Sequence, residues 1–329
     1  MVAGRGGAGK GGYPRGMEAW PRPRVVVSAC LGFAAVRYSG ELIPDRVVGV
    51  LREFVDFLPV CPEVEMGLGV PRPTVRLVRG EGGVRMVQPQ TGEDLTQAME
   101  AFSRGFLAGL PPVEGFILKN RSPSCALKDA RVYAHAQGGG TVGRGPGLFA
   151  QAVEKAFPLL PKEDEGRLTS ARVRAHFFTR IFGLARLRQV EDLPGLQAFH
   201  ARYKLLLMAY HQSEARALGR LLAESRGRPL EEVRRAYEEG FLRATRLPFR
   251  LGAMADAFLH AFGYFKKGLS PREKAHFLEL LSAFREERLP LEAPLALLQS
   301  WALRFGEGYL EAQALFAPYP RALMDLKTS

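Results

Sequence analysis

Short apolar runs and amphipathic stretches alternate through the first half of the chain, and helical spacing alone fills the second half. Val25-Val26-Val27-Ser28-Ala29, Phe57-Leu58-Pro59-Val60 and the run from Gly115 to Lys119 read as buried strands. Between the first two, Val47, Val50, Leu51 and Phe54 recur at helical spacing within residues 44–57. Residues 74–78 and 84–87 flank Gly80-Glu81-Gly82-Gly83 as a hairpin would. Leu95, Met99, Phe102 and Phe106 place one apolar face on a helix over residues 93–107. A glycine loop at residues 138–140 and a helix over 147–157 complete the alternation. Strands and helices in turn predict an α/β domain, with a Rossmann-like sheet covered on both faces.

The run Lys162-Glu163-Asp164-Glu165-Gly166 breaks this pattern and reads as a charged linker. Beyond it, apolar-periodic segments at 176–187, 193–225, 229–245, 248–265, 270–287 and 291–303 predict an all-α domain. Gly227, Pro248, Gly268 and Pro290 punctuate them, and Ser270-Pro271-Arg272-Glu273 is a capping box with proline at the first helical position. The expected organisation is therefore a Gly/Arg/Pro-rich, disordered basic tail (1–24), an α/β domain (25–161) and an all-helical domain (167–329). Met17 is an alternative start.

Length and composition sharpen this picture. A chain of 329 residues with 47% hydrophobic residues suits two domains with sizeable cores. No apolar run is long enough to span a bilayer, and the first residues lack the apolar segment of a secretory signal, so a cytoplasmic location is expected. Asn120 is the only asparagine, and scarce thermolabile amides suit a thermophilic source. The net charge of +12 divides as +4 before Val25, −1 from Val25 to Gly166 and +9 thereafter. A basic excess concentrated in the helical half attracts polyanions, nucleic acid first, although a merely solubilising surface has the same composition.

The chemistry is carried by three cysteines, Cys30, Cys61 and Cys125, each closing or following one of the three strand-like runs. In an open α/β sheet, neighbouring strands deliver their carboxyl ends to one crevice, where ligands bind. Three thiols cannot pair off as disulfides, and long spacings without C-x-x-C argue against a zinc ribbon or a ferredoxin. Unrelated buried cysteines are the bland alternative. Three thiols at one crevice can instead hold three irons of a [4Fe–4S] cluster and leave the fourth open to substrate.

The motifs around these residues make the chain recognisable. Ser-Ala-Cys-Leu-Gly ending at Gly32, Arg37-Tyr38-Ser39-Gly40, Cys61-Pro62-Glu63, the Gly-Leu-Gly-Val-Pro-Arg run ending at Arg72, and Ser122-Pro123-Ser124-Cys125 resemble the thiouracil desulfidase family. The second half resembles the helical domain often fused to it, through residues 199–204, 263–267 and 318–320. Fused proteins of this arrangement look like tRNA 4-thiouridine desulfidases. The resemblance implies that Cys30, Cys61 and Cys125 ligate a [4Fe–4S] cluster whose open iron takes the thiocarbonyl sulfur. Iron prefers sulfur to oxygen, and as a Lewis acid it makes the attached carbon open to water. One departure is Ala126, where the family motif has glycine.

Around the cysteines, Ser122 is the expected hydrogen-bonding or proton-relaying group, with capping of the turn before Cys125 as its alternative role. Glu63 is the candidate base, or holds the pyrimidine N–H; Glu65 is held in reserve. Lys119, Asn120, Arg121, Arg72 and Ser124 are candidates for binding substrate, including a phosphate or ribose. His176, His200, His211, His260 and His276 lie away from the cysteines and read as packing or surface residues. Arg172, Arg174, Arg180, Arg186, Arg188 and several tyrosines of the helical half are candidates for contacting tRNA phosphates and an unpaired base. The alternatives to tRNA desulfuration are action on free thiouracil or thiouridine nucleotides, a non-catalytic iron–sulfur regulator binding nucleic acid, and a radical or dehydratase-type enzyme. No G-x-G-x-x-G opens the first helix, so no nucleotide cofactor is expected.

Overall fold

The computed structural model describes residues 20–326, so most of the expected basic tail and the alternative start at Met17 lie outside the described residues. The first half runs β1 (Arg24–Ser28), α1 (Arg46–Leu51), β2 (Asp56–Val60), α2 (Pro62–Glu65), β3 (Arg76–Gly80), β4 (Gly83–Val87), α3 (Thr96–Ala108), β5 (Gly115–Leu118), β6 (Ala130–Tyr133), β7 (Thr141–Gly145), α4 (Leu148–Ala156) and β8 (Lys162–Asp164). The α/β reading holds, but the strands form two sheets rather than one. The first, ordered β2-β1-β5-β8, is parallel throughout; the second is ordered β4-β3-β6-β7.

β1 is fully buried on both faces, which is why it reads as an unbroken valine run. β2 lies at the edge of the first sheet, where Pro59 can be accommodated. Asp45 caps α1 by accepting from the Val48 N–H at 2.8 Å. That helix ends sooner than its spacing suggests, because Val55 turns into the core and Asp56 opens β2.

The charged run at 162–166 is a correction to the expected linker. Lys162, Glu163 and Asp164 pair in parallel with Phe116, Ile117 and Leu118 as the fourth strand. Charge hid it, because an edge strand needs no continuous apolar run.

The second half is helical: α5 (Ala171–Arg188), α6 (Leu193–Tyr210), α7 (Gln212–Ala223), α8 (Leu230–Ala244), α9 (Leu251–Gly263), α10 (Pro271–Arg285), α11 (Glu292–Phe305), α12 (Gly308–Glu311) and α13 (Arg321–Met324). The segment read as one helix over 193–225 breaks at His211, whose extended backbone ends α6 and whose ring accepts from the Glu214 N–H to start α7. The capping box at Ser270 forms as expected. Among the described residues, no helix is long and apolar enough to cross a membrane.

α5 joins the two halves. Phe177, Phe178, Ile181 and Phe182 share one apolar cluster with Val25, Val27 and Ile117 of the parallel sheet. Its arginines serve the same seam. Arg174 donates to the carbonyls of Leu168, Thr169 and Leu326, Arg180 to Leu159, and Arg188 to Glu114 and the Arg22 carbonyl. The Arg186 guanidinium lies 3.8 Å from the Trp20 ring centroid. The positively charged row read as a nucleic-acid face is thus largely engaged in docking the domains.

Candidate metal centre

β1 lies between β2 and β5 in the parallel sheet, so the chain leaves the carboxyl ends of these strands in opposite directions and opens a crevice there. Cys30 follows β1 by two residues, Cys61 follows β2 directly, and the loop after β5 carries Cys125. All three are free thiols lining one cavity of about 590 Å³. Ser28, Glu63, Arg72, Lys119, Asn120, Arg121, Ser122 and Ser124 line it too. The crevice therefore gathers every candidate site residue but one. Glu65 is exposed and absent from this lining, because the turn of α2 carries it away from the crevice.

Burial raises the pKa of all three thiols: Cys30 to about 11, Cys125 to about 12, and Cys61 above its ordinary value. Each of these pKa values also feels a neighbouring charge, and Cys125 feels both other cysteines. Among the described residues, no three His, Cys, Asp or Glu side chains are gathered as they would be around a single metal ion. Three thiols spaced around a shared cavity suit a multi-iron cluster, in which each ligand takes a different iron.

A hydrogen-bonded chain runs beside the thiols. Ser124 Oγ donates to Glu63 Oε1 at 2.8 Å and lies 2.9 Å from Ser122 Oγ. With the Ser124 proton on Glu63, the Ser122 proton points to Ser124. Ser122 Oγ also accepts from the Cys125 and Ser124 N–H groups at 3.1 and 3.3 Å, so it both caps the turn and sits in the chain. Glu63 is buried, and Arg72 holds its other oxygen through Nη2 at 2.7 Å and Nε at 3.0 Å. Arg72 also donates to the Val36 carbonyl and lies 4.0 Å from Cys61 Sγ, tying the Cys30 and Cys61 loops together.

α4 holds the Cys125 loop. The N–H groups of Gly147, Leu148 and Ala150 donate to the carbonyls of Ala126, Pro123 and Ser124 at 2.8, 3.1 and 3.1 Å. A Cβ at Gly147 would strike the Ser124 backbone, so glycine is required there by close approach. Ala126 is fully buried and has no left-handed backbone, and the glycine of the family motif is not needed for it.

Sequence reasoning missed Glu165. It follows β8 just as Cys61 follows β2, and its carboxylate accepts from Lys119 Nζ and, at 2.9 Å, from the Asn120 N–H. Lys119 also donates to the Asn120 side chain at 2.5 Å. Recognising 162–164 as a strand was the signal that could have placed Glu165 beside Lys119 and Asn120, which line the crevice.

Residues 25–165 match the 2-thiouracil desulfurase family. That match covers less than half of the chain. The desulfurase domain is joined to a second match, over residues 204–320, to a family described as a protein of unknown function, DUF1722. YbgA of Escherichia coli K12 is 26% identical over 149 residues, covering 44% of this chain and 88% of its own. YbbK of Bacillus subtilis 168 is 29% identical over 108 residues, covering 31% of this chain and 72% of its own. A solved structure of the [4Fe-4S]-dependent thiouracil desulfidase TudS is 27% identical over 45% of this chain and 93% of its own, with a TM-score of 0.36.

Proposed function

We propose that this protein is an iron–sulfur desulfidase that removes sulfur from a thiolated pyrimidine by hydrolysis, with 4-thiouridine in tRNA as the substrate. The observation that carries this reading is the convergence of three free thiols and the Arg72–Glu63–Ser124–Ser122 chain on one cavity, within a desulfurase-family domain. Cys30, Cys61 and Cys125 would hold a [4Fe–4S] cluster, leaving one iron without a side-chain ligand. When bound, the cluster supplies a thiophilic Lewis acid that polarises C=S.

The chain's own residues do the rest. Glu63 accepts the proton of the attacking water, and Arg72 holds that carboxylate in place and balances its charge. Ser124 sits between Glu63 and Ser122 and passes a proton along the two hydroxyls. Lys119, held by Glu165, and Asn120 face the substrate's polar edge. The helical half supplies affinity for RNA: its excess of positive charge draws phosphates, and exposed Tyr264, stacked on Tyr309 at 5.6 Å, offers a face for an unpaired base.

The test is anaerobic reconstitution followed by sulfide release from 4-thiouracil, 4-thiouridine monophosphate and thiolated tRNA. Sulfide appears without added reductant, fastest with tRNA. Glu63→Gln retains its iron and loses about 10²–10³-fold in turnover. Turnover that depends on a reductant, or a Glu63→Gln protein as active as the parent, contradicts the reading.

A further inference from the structure

The loop that carries Cys125 is gripped by α4 at its far end, and β8 holds its near end. Pairing of Ile117 with Glu163 and of Leu118 with Asp164 brings Glu165 alongside Lys119. The buried Glu165 carboxylate accepts from Lys119 Nζ and from the Asn120 N–H. The next residue packs as closely: a Cβ at Gly166 would lie 2.7 Å from Asn120 Nδ2. Beyond Asn120 the backbone is left-handed at Arg121, φ 56°, where the N–H donates to Asp129 at 2.8 Å. A residue with a side chain stays in that conformation only when its surroundings hold it there.

Glu165 is itself held from the helical half. Asp164 Oδ1 accepts from the Arg167 N–H at 2.8 Å, and Arg167 pairs with Glu163 at 2.7 Å. Leu168 is fully buried in the cluster it shares with Phe177, Phe178 and Ile181 of α5. Arg174 of the same helix donates to the Leu168 and Thr169 carbonyls. The segment carrying Glu165 therefore runs between a paired strand and a docked helix, with little room to shift.

Lys119 and Cys30 line one cavity, and Cys30 feels the charges of both Lys119 and Glu165. Arg37, the other cation felt by Cys30, is held only by exposed Glu41. Arg72 stands to Cys61 as Lys119 does to Cys30, 4.0 Å from the sulfur and held by buried Glu63. Such a clamp keeps positive charge beside sulfur and leaves the cation little side-chain freedom.

We propose that Glu165 is a positioning residue that anchors the loop after β5 and fixes Lys119 as a cation beside Cys30. This rests on the desulfidase reading for its effect on turnover, whereas the anchoring of the loop stands on its own geometry.

The experiment is a double-mutant cycle of Glu165→Gln and Lys119→Met in the reconstituted protein. Glu165→Gln keeps an acceptor for the Asn120 N–H and removes the charge that holds Lys119. Each single variant loses about 10-fold in turnover of 4-thiouracil, mostly through kcat, because charge beside sulfur counts as negative charge develops there. The double variant loses no more than either, since Glu165 acts through Lys119. The midpoint potential of the cluster gives a second reading: Lys119→Met lowers it in the parent and shifts it far less in the Glu165→Gln background. If Glu165→Gln leaves Lys119 unpaired and does not fold, the double variant folds, because neither buried charge remains. A double variant that also fails makes the pair a structural prop and overturns the proposal. Hydrogen exchange on the cluster-free protein reads the anchoring without any chemistry: Glu165→Ala speeds exchange about 10-fold or more over residues 119–122 and leaves β1 unchanged. Failure of the parent to release sulfide defeats the desulfidase reading alone, and the exchange still decides the anchor. Additive losses, equal potential shifts in both backgrounds, or unchanged exchange overturn the proposal.

Discussion

At the scale of single residues, most of the crevice was legible because its chemistry sits beside Gly or Pro turns after apolar runs. Cys61-Pro62-Glu63 and Ser122-Pro123-Ser124-Cys125 announce themselves in this way, and Glu63, Ser122 and Ser124 meet in one hydrogen-bonded chain. Glu65 shows the limit. Two residues of separation in the sequence say nothing about facing until a helical turn is known to lie between them. Gly147 shows another, since its role depends on a backbone brought to it from the Cys125 loop. Gly147→Ala must push that loop aside at a cost of about 1–3 kcal/mol. The expected outcome is a folded protein with normal far-ultraviolet circular dichroism and a reduced iron content after reconstitution. Full iron loading would show that α4 does not set the Cys125 position.

Among the elements, the helices of the second half were readable because burial on one face leaves a periodic trace, as in Val233, Tyr237, Phe241 and Ala244 of α8. Strands were harder wherever the pattern was not apolar. β8 is made of three charged residues and is defined by pairing with β5, which no local pattern encodes. The histidines behave as packing residues. His176 Nδ1 lies 3.1 Å from the Tyr210 hydroxyl and His200 Nδ1 lies 3.0 Å from the Tyr237 hydroxyl. Burial, reinforced by the Arg180 charge, depresses the His176 pKa from its ordinary 6.5 to about 4. The folded state therefore binds this proton less readily than the unfolded chain. Its stabilising contribution is complete above pH 6.5 and is lost as the pH falls toward 4. Over that window, urea denaturation should show a loss on the order of 1–3 kcal/mol that His176→Gln reduces. An unchanged slope in the variant would mean that other groups carry the acid sensitivity.

For the molecule as a whole, α5 is the element that changes the domain picture. From sequence, a break at the charged run makes the first domain end near residue 161, yet Phe177, Phe178, Ile181 and Phe182 complete a core begun by Val25 and Ile117. Burying four such side chains is worth several kcal/mol, at about 1.5–3 kcal/mol each. A chain ending after Glu165 should therefore be insoluble or partly unfolded, whereas one ending after Gln189 keeps α5 and melts cooperatively. Thermal melting of the two truncations separates these outcomes, and a well-folded shorter chain would contradict the shared core. The longer truncation also tests the division of labour. It should keep turnover of 4-thiouracil and lose both affinity for tRNA and much of its salt dependence, because fewer phosphates are neutralised.

The central claim is that three cysteines hold a cluster with one iron left for substrate. Iron and sulfide analysis with Mössbauer spectroscopy, on protein reconstituted under strict oxygen exclusion, tests it most directly. The account predicts about four irons and four sulfides per chain, with one iron distinguishable from the rest and shifted when 4-thiouracil is added. Alanine at Cys30, Cys61 or Cys125 should abolish the signal. A cluster with four equivalent irons that is indifferent to 4-thiouracil, or retention of the cluster in any of the three variants, would contradict it.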